Sequence, residues 1–203
     1  MVIESSLLQS TAIIATDASI KNDIATSISH MHISNHPLIK TRYHTAFVTS
    51  SEAELFAIRC GINQALSKEN ISKIIVVTDS IHVAKKIFDP SSHSLQIYTV
   101  TILEELCLFF SRDPSNLIKF WESPSHLNWH LHKAVNLESK ASNPILVYPC
   151  KTSSNYIKKS KYNNIFNHWK MMFQASDGKG NHFLELLDDK FNIIEPFYAK
   201  GGP

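Results

Sequence analysis

Polar and apolar positions follow one rule near the start of the chain and another further on. TAIIATDAS (residues 11–19), IATSISHMHIS (24–34) and LIKTRYHTAFV (38–48) each read as a strand, the second and third by alternation, and their short links predict an antiparallel meander. From Ser51 the period lengthens: in SEAELFAIRCGINQALSKEN, Leu55, Ile58, Ile62 and Leu66 recur at helical spacing. SKIIVVTD is a continuous apolar run of the kind found in a strand buried on both faces, and SIHVAKKIF predicts a short helix closed by DPSS. LQIYTVTILEELCLFF has helix length, LIKFWES reads as a further strand, and HLHKAVNLESKA is again helical. The order βββαβααβα makes this an α/β protein, with a parallel pair added to the meander.

After Asn143–Pro144 the pattern changes. KTSSNYIKKSKYNNIFNHWKMMFQASDGKG predicts a polar linker and one basic-aromatic helix stopped by DGKG, and HFLELLDDKFNIIEP predicts a hairpin or strand. The expected organisation is a domain over 11–143 and a helical and hairpin extension over 144–203. A chain of 203 residues, 43% hydrophobic and 19% charged, is long enough for one such core and an appendage. Net charge of +2 and a pI near 8.4 announce no nucleic-acid binder, although a local lysine cluster could build a patch.

Cys60, Cys107 and Cys150 are far apart and form no C-x-x-C pair, so neither a disulfide framework nor a thiolate zinc site is expected. An intracellular location, cytoplasmic or nuclear, fits this cysteine usage. No apolar run reaches the roughly 18 residues of a bilayer span, and MVIESSLLQS has no basic n-region. The pairs HMH (30–32) and HLH (130–132) could chelate only on a strand and have no third ligand at fitting spacing, so they read as surface histidines.

The acids carry more. Asp17 ends the first strand, Asp79 ends the buried strand, and Glu54 lies in the first helix in line with Ala57, Gly61 and Ala65. That strip of small residues lets the helix lie close on the sheet, so Glu54 should face the strands. Glu52, beside its cap Thr49, reads as a plain surface acid. Each acid alone has a bland explanation: a turn at Asp17, a helix cap at Asp79, a capping box from Ser51 to Glu54. Together they should meet at the carboxyl ends of adjacent parallel strands, where open α/β sheets gather ligands. Three converging carboxylates repel one another unless cations neutralise them, and Mg²⁺ takes such hard oxygen ligands.

TDAS, AELFAI, VVTDS and FWESPSH…HKAVNLESK resemble type 1 ribonuclease H over roughly residues 11–143. The resemblance implies a five-stranded mixed sheet with flanking helices. It also implies two Mg²⁺ ions held by four acids, cutting the RNA strand of an RNA–DNA hybrid. Carried over, Asp17 would bridge both metals, Glu54 and Asp79 would complete the site on the leaving-group side, and the fourth position would hold the metal that activates water. Two metals about 3.5–4 Å apart suit an in-line displacement. The fourth position is Asn136, where the family has Asp; an amide oxygen ligates without charge, so Mg²⁺ should bind more weakly there and Mn²⁺ becomes an alternative. Glu138 cannot substitute, because i+2 on a helix points elsewhere. The family's mobile histidine falls at His126, suited to proton transfer or product release, although a lone loop histidine is as often inert.

NHWKMMFQASDGKGNHF and FYAKGGP resemble the segment that follows this domain in fungal non-LTR retrotransposon polyproteins. That resemblance implies a reverse transcriptase domain upstream and a chain that is a fragment of such a polyprotein or a decayed reading frame. Residues 91–111 offer no basic arm for gripping a hybrid, so Lys158, Lys159 and Lys161, interleaved with Tyr156 and Tyr162, are the candidate phosphate contacts; the alternative is a solvated helix face. Three functions compete: a hybrid endonuclease, a catalytically impaired nucleic-acid-binding remnant favoured by Asn136, and another two-metal nuclease on the same superfold.

Overall fold

The computed structural model describes residues 10–123, 129–141 and 153–175. Three expectations fall outside them: the placement of His126 within 124–128, the DGKG stop over 177–180, and the hairpin or strand over 182–196. The chain divides into two compact units, Met1–Tyr156 and Ile157–Pro203.

The first unit is built on three strands, β1 (Thr11–Lys21), β2 (Ile24–Ile33) and β3 (Ile39–Ala46). The β1–β2 loop is the two residues Asn22 and Asp23, at φ 51° and 61°, the paired positive angles of a type I′ turn that matches strand twist. Helix α1 (Ser50–Leu66) follows, then β4 (Lys73–Thr78), α2 (Ile81–Lys85) with a short 3₁₀ turn, α3 (Gln96–Arg112), β5 (Leu117–Glu122) and α4 (His130–Lys140). The sheet order is β3-β2-β1-β4-β5, antiparallel through the meander and parallel from β1 to β4 to β5.

Alternation along β1 and β4 sorts their residues onto two faces. Ala12, Ile14, Ile74 and Val76 join Met31 and Ile33 under Leu55, Ile58 and Ile62 of α1 and Ile102, Leu106 and Phe109 of α3. Ile13, Ala15, Ile75 and Val77 join Ile28 under Leu131 and Val135 of α4. Full burial of one such aliphatic side chain contributes about 1.5–3 kcal/mol, which is why Ile74–Val77 of β4 are all apolar and show no alternation. The small-residue strip of α1 does what its composition implies: a Cβ on Gly61 would lie 2.4 Å from Ile14 Cγ2 and 3.3 Å from Ser29 Cβ. Backbone and side chains therefore meet with no room for a methyl group. The Ser27 hydroxyl donates to the Ala53 carbonyl (2.8 Å), fixing the start of α1 on β2, and Glu105 of α3 accepts from Arg59 (3.1 Å) and Asn63 (3.2 Å) of α1.

A last helix, α5 (Ser154–Ala175), begins within the first unit and continues into the second. In the second unit Tyr162 stacks on Phe166, and Lys158, Lys159 and Lys161 are exposed. No helix among the described residues is long and apolar enough to cross a membrane.

Candidate functional site

The register between β1 and β4 delivers the first two acids. Ala15 pairs with Val77, the last residues of the parallel ladder, and the same offset two residues on brings Asp17 level with Asp79. Side chains alternate, so both carboxylates leave the sheet on the face of Ala15 and Val77, beneath α4.

Helix α4 meets them with the stripe His132, Val135 and Ser139, all buried. Single ligand atoms of Asp17, Asp79 and His132 lie within 4.8 Å of one another. Ser139 Oγ sits 2.5 Å from Asp17 Oδ2 and 3.0 Å from the Asn136 carbonyl oxygen, and the Ser19 hydroxyl donates to the Ser139 carbonyl. On its other side α4 is held by Glu138, which accepts from Lys40 (2.7 Å) and lies 2.9 Å from His30 Nε2, while Arg42 donates to the Ala141 carbonyl. Glu138 thus points away from the acids, as its helical position requires. Asn136 is half-buried, one turn beyond His132 on the same stripe.

Glu54 approaches from near the start of α1, just past its first turn, and is only 6% exposed. It stands outside the 4.8 Å group but close enough to feel both aspartates. Burial, then the charges of Asp17 and Asp79, push its carboxyl up to about 8, against one hydrogen bond from the Ala18 backbone. Asp17 is also raised, mainly by burial and less by Asp79, while the Ser139 hydroxyl, His132 and Lys140 oppose the shift.

The polar atoms here are incompletely satisfied. Glu54 Oε2, Asp79 Oδ1 and His132 Nε2 are buried without a hydrogen-bond partner. An unmet buried donor or acceptor costs about 1–3 kcal/mol, so three at one strand end form a place a cation would relieve. The donor set of carboxylate oxygens and one imidazole fits a divalent ion.

Four readings from sequence need correction, the first being that Asp17 does not end β1, which continues to Lys21 because its ladder with β2 outlasts its ladder with β4. The histidine pairs are not surface groups throughout: His30 and His132 are buried, His32 is half-buried and only His130 is exposed. Their partners, Glu138 for His30 and the aspartates for His132, are remote in sequence, and local spacing could not show them. A usable signal was present: His132 and Ser139 stand at i−4 and i+3 from Asn136, on its own face. Glu52 is likewise no surface acid. At 2% exposure it forms a capping box with Thr49 and accepts from Ser153 and Asn155. Nor does the Asp79 side chain cap α2, whose N-cap is Ser80.

Residues 30–112 match the family described as reverse transcriptase-like, a stretch that holds Glu54 and Asp79 but neither Asp17 nor α4. RNase H1 of the halophilic archaeon Halobacterium salinarum superposes with a TM-score of 0.51 at 16% identity, over 64% of this chain and 96% of that one. The fold is that of ribonuclease H. The N-terminal RNase H domain of a Mycobacterium tuberculosis protein also matches, with a TM-score of 0.49 and 15% identity over 58% of this chain and 90% of its own. The protease-reverse transcriptase of prototype foamy virus matches at 17% identity and a TM-score of 0.46, over 65% of this chain and 21% of that one. No curated protein matches the chain. Within the ribonuclease H fold Asp17 stands in β1 two residues past the end of its parallel ladder with β4, and Asp79 directly follows the end of β4, the crevice where open α/β sheets take ligands.

Proposed function

We propose that this chain is a metal-dependent nuclease that cuts the RNA strand of RNA–DNA hybrids. The observation that carries the proposal is the meeting of Asp17 and Asp79, with the incompletely satisfied Glu54 beside them, where the parallel ladder of β1 and β4 ends in a ribonuclease H fold. Asp17, Glu54 and Asp79 are the acidic ligands, and the Asn136 amide oxygen adds an uncharged one. Two bound Mg²⁺ ions, or Mn²⁺, would supply a clamp on the attacking and leaving oxygens of an in-line displacement and a water of lowered pKa.

The protein's own groups prepare that chemistry. Ser139 fixes the rotamer of Asp17 by hydrogen bonding to its Oδ2, leaving the other carboxylate oxygen for ligation. Glu54 must give up its proton before it can ligate, so proton and cation compete for this carboxyl. His126, ten residues before Asn136, is the proposed group for proton transfer or product release. Lys158, Lys159 and Lys161 are proposed to contact phosphates. The reverse transcriptase-like family match over residues 30–112 supports a retroelement origin; a reverse transcriptase domain upstream, and residues 144–203 as an extension of the domain over 11–143, are proposed from the sequence alone.

The test is cleavage of a labelled RNA–DNA hybrid, duplex DNA and single strands across Mg²⁺ and Mn²⁺ concentrations. Hybrid-selective, metal-dependent cleavage of the RNA strand is expected. Binding to hybrid without cleavage at any metal concentration would favour the second reading, an impaired binding remnant, which the uncharged Asn136 supports. Cleavage of duplex DNA in preference to hybrid would move the substrate assignment to another nuclease class.

A further inference from the structure

Resting on the metal-site reading above, and deepening it, we propose that His132 is a direct ligand, with Asp17 and Asp79, for a first-row divalent transition ion, so that this site prefers Mn²⁺ to Mg²⁺. None of the four positions carried over by resemblance includes His132. Its place is set by the chain itself: one turn before Asn136 on the buried stripe of α4, with a ring nitrogen within 4.8 Å of oxygens from both aspartates.

Three observations converge on a ligand role. The imidazole is 2% exposed, so water cannot satisfy it, and its buried Nε2 has no hydrogen-bond partner. Asp79 Oδ1 and Glu54 Oε2 are unpartnered in the same place, so acceptors with free lone pairs gather there while donors are scarce. A metal cation is the species that neutral imidazole and carboxylate oxygens bind in common. Helix α4 is also held so that His132 cannot readily swing away. Ser139 bonds to Asp17, Ser19 bonds to the Ser139 carbonyl, and Glu138 pairs with His30 and Lys40.

The donor type decides the ion class. Mg²⁺ demands octahedral oxygen ligation and gives up its waters reluctantly, and an imidazole nitrogen serves it poorly. Imidazole suits the first-row transition ions, and Mn²⁺ still accepts the carboxylates of Asp17 and Asp79. His132 thereby supplies a ligand where Asn136 supplies no charge, and it shifts selectivity in doing so.

The test uses the full chain and needs no turnover. Bind Mn²⁺ and, separately, Mg²⁺ to wild type and to His132→Gln, measuring affinity by calorimetry, and record pulsed electron paramagnetic resonance of the Mn²⁺ complex. Wild type is expected to bind Mn²⁺ at least about tenfold tighter than Mg²⁺ and to show a ¹⁴N coupling from the imidazole. His132→Gln should lose that coupling and lose Mn²⁺ affinity by no less than the roughly 10- to 100-fold seen for groups that merely orient ligands, with Mg²⁺ affinity nearly unchanged. Absence of a ¹⁴N coupling in wild-type Mn²⁺ protein overturns the proposal without reference to any variant. Equal losses for both ions, or none, overturn it too while leaving the acidic site standing. Failure of wild type to bind either ion would overturn this proposal and the metal-site reading together.

Discussion

Two glutamates, Glu52 in the first turn of α1 and Glu54 just beyond it, stand two residues apart, and both are almost fully buried. Glu52 is saturated with donors: the Thr49 backbone N–H (2.7 Å) and hydroxyl (2.9 Å), Ser153 Oγ (2.8 Å) and Asn155 Nδ2 (2.9 Å). Glu54 receives one backbone hydrogen bond, faces two aspartates and leaves Oε2 unmet. A buried carboxylate given all its partners is a clamp; here it ties Ser153 and Asn155, at the start of α5, to the head of α1. A buried carboxylate denied them, among its own kind, is an ion site in waiting. Depth of burial cannot tell the two apart, but the count of donors can.

That contrast is most exposed to test by substitution. Asp17→Asn, Asp79→Asn and Glu54→Gln are each expected to reduce metal-dependent hybrid cleavage by about 100-fold or more, the scale of losing a key transition-state electrostatic contact, with the fold retained. Glu52→Ala should do the reverse. Its remaining partners lose their acceptor and the capping box is broken, so a thermal or urea melt should show a loss of about 2–4 kcal/mol, while cleavage per folded molecule persists. If Glu52→Ala folded well but failed to cut, or Glu54→Gln unfolded like a core lesion, the distinction would collapse.

The pH dependence sharpens it. The Glu54 carboxyl titrates near 8 when folded against 4.5 as its ordinary value. The unfolded chain therefore releases this proton first, and the metal-free protein should lose stability as pH rises from about 4.5 to 8, with the raised Asp17 acting in the same direction. Glu54→Gln should flatten that slope, stabilising the apo protein at pH 8 by about 1–3 kcal/mol and scarcely at all at pH 4.5, as paired melts would show.

Two smaller effects follow. Asn136→Asp should lower the Mg²⁺ concentration for half-maximal cleavage by about tenfold if it adds a charged ligand at the water-activating position, whereas identical metal titrations would place Asn136 outside the site. Replacing Lys158, Lys159 and Lys161 together by Ala should reduce the slope of log affinity for hybrid against log salt by up to about 3, near one per lost phosphate contact, and an unchanged slope would mark them as a solvated face.

Much of this architecture is written locally. Period two gave the meander, period 3.6 gave α1, and the apolar run Ile74–Val77 of β4 announced burial on both faces; Asp17 and Asp79 were legible because each interrupts an apolar run, although Asp17 does so within β1 and not at its end. His132, His30 and Glu52 were not, because what buries each of them arrives from far along the chain: Asp17 and Asp79, Glu138, and the pair Ser153 and Asn155. Thr49 was recognisable as the cap, but a cap shows only half of what surrounds Glu52. Spacing rules test neighbours in sequence, and these contacts exist only once the sheet has closed.

Gly61 adds a mechanical consequence. Its missing methyl sets how far α1 stands off Ile14, and Glu54 rides the same stiff rod two turns away, about 10 Å along the axis. The standoff at Gly61 therefore works as a feeler gauge for the reach of Glu54 toward Asp17. The calibration of the acidic cluster resides in an atom the sequence leaves out, deep in a layer that never meets a ligand.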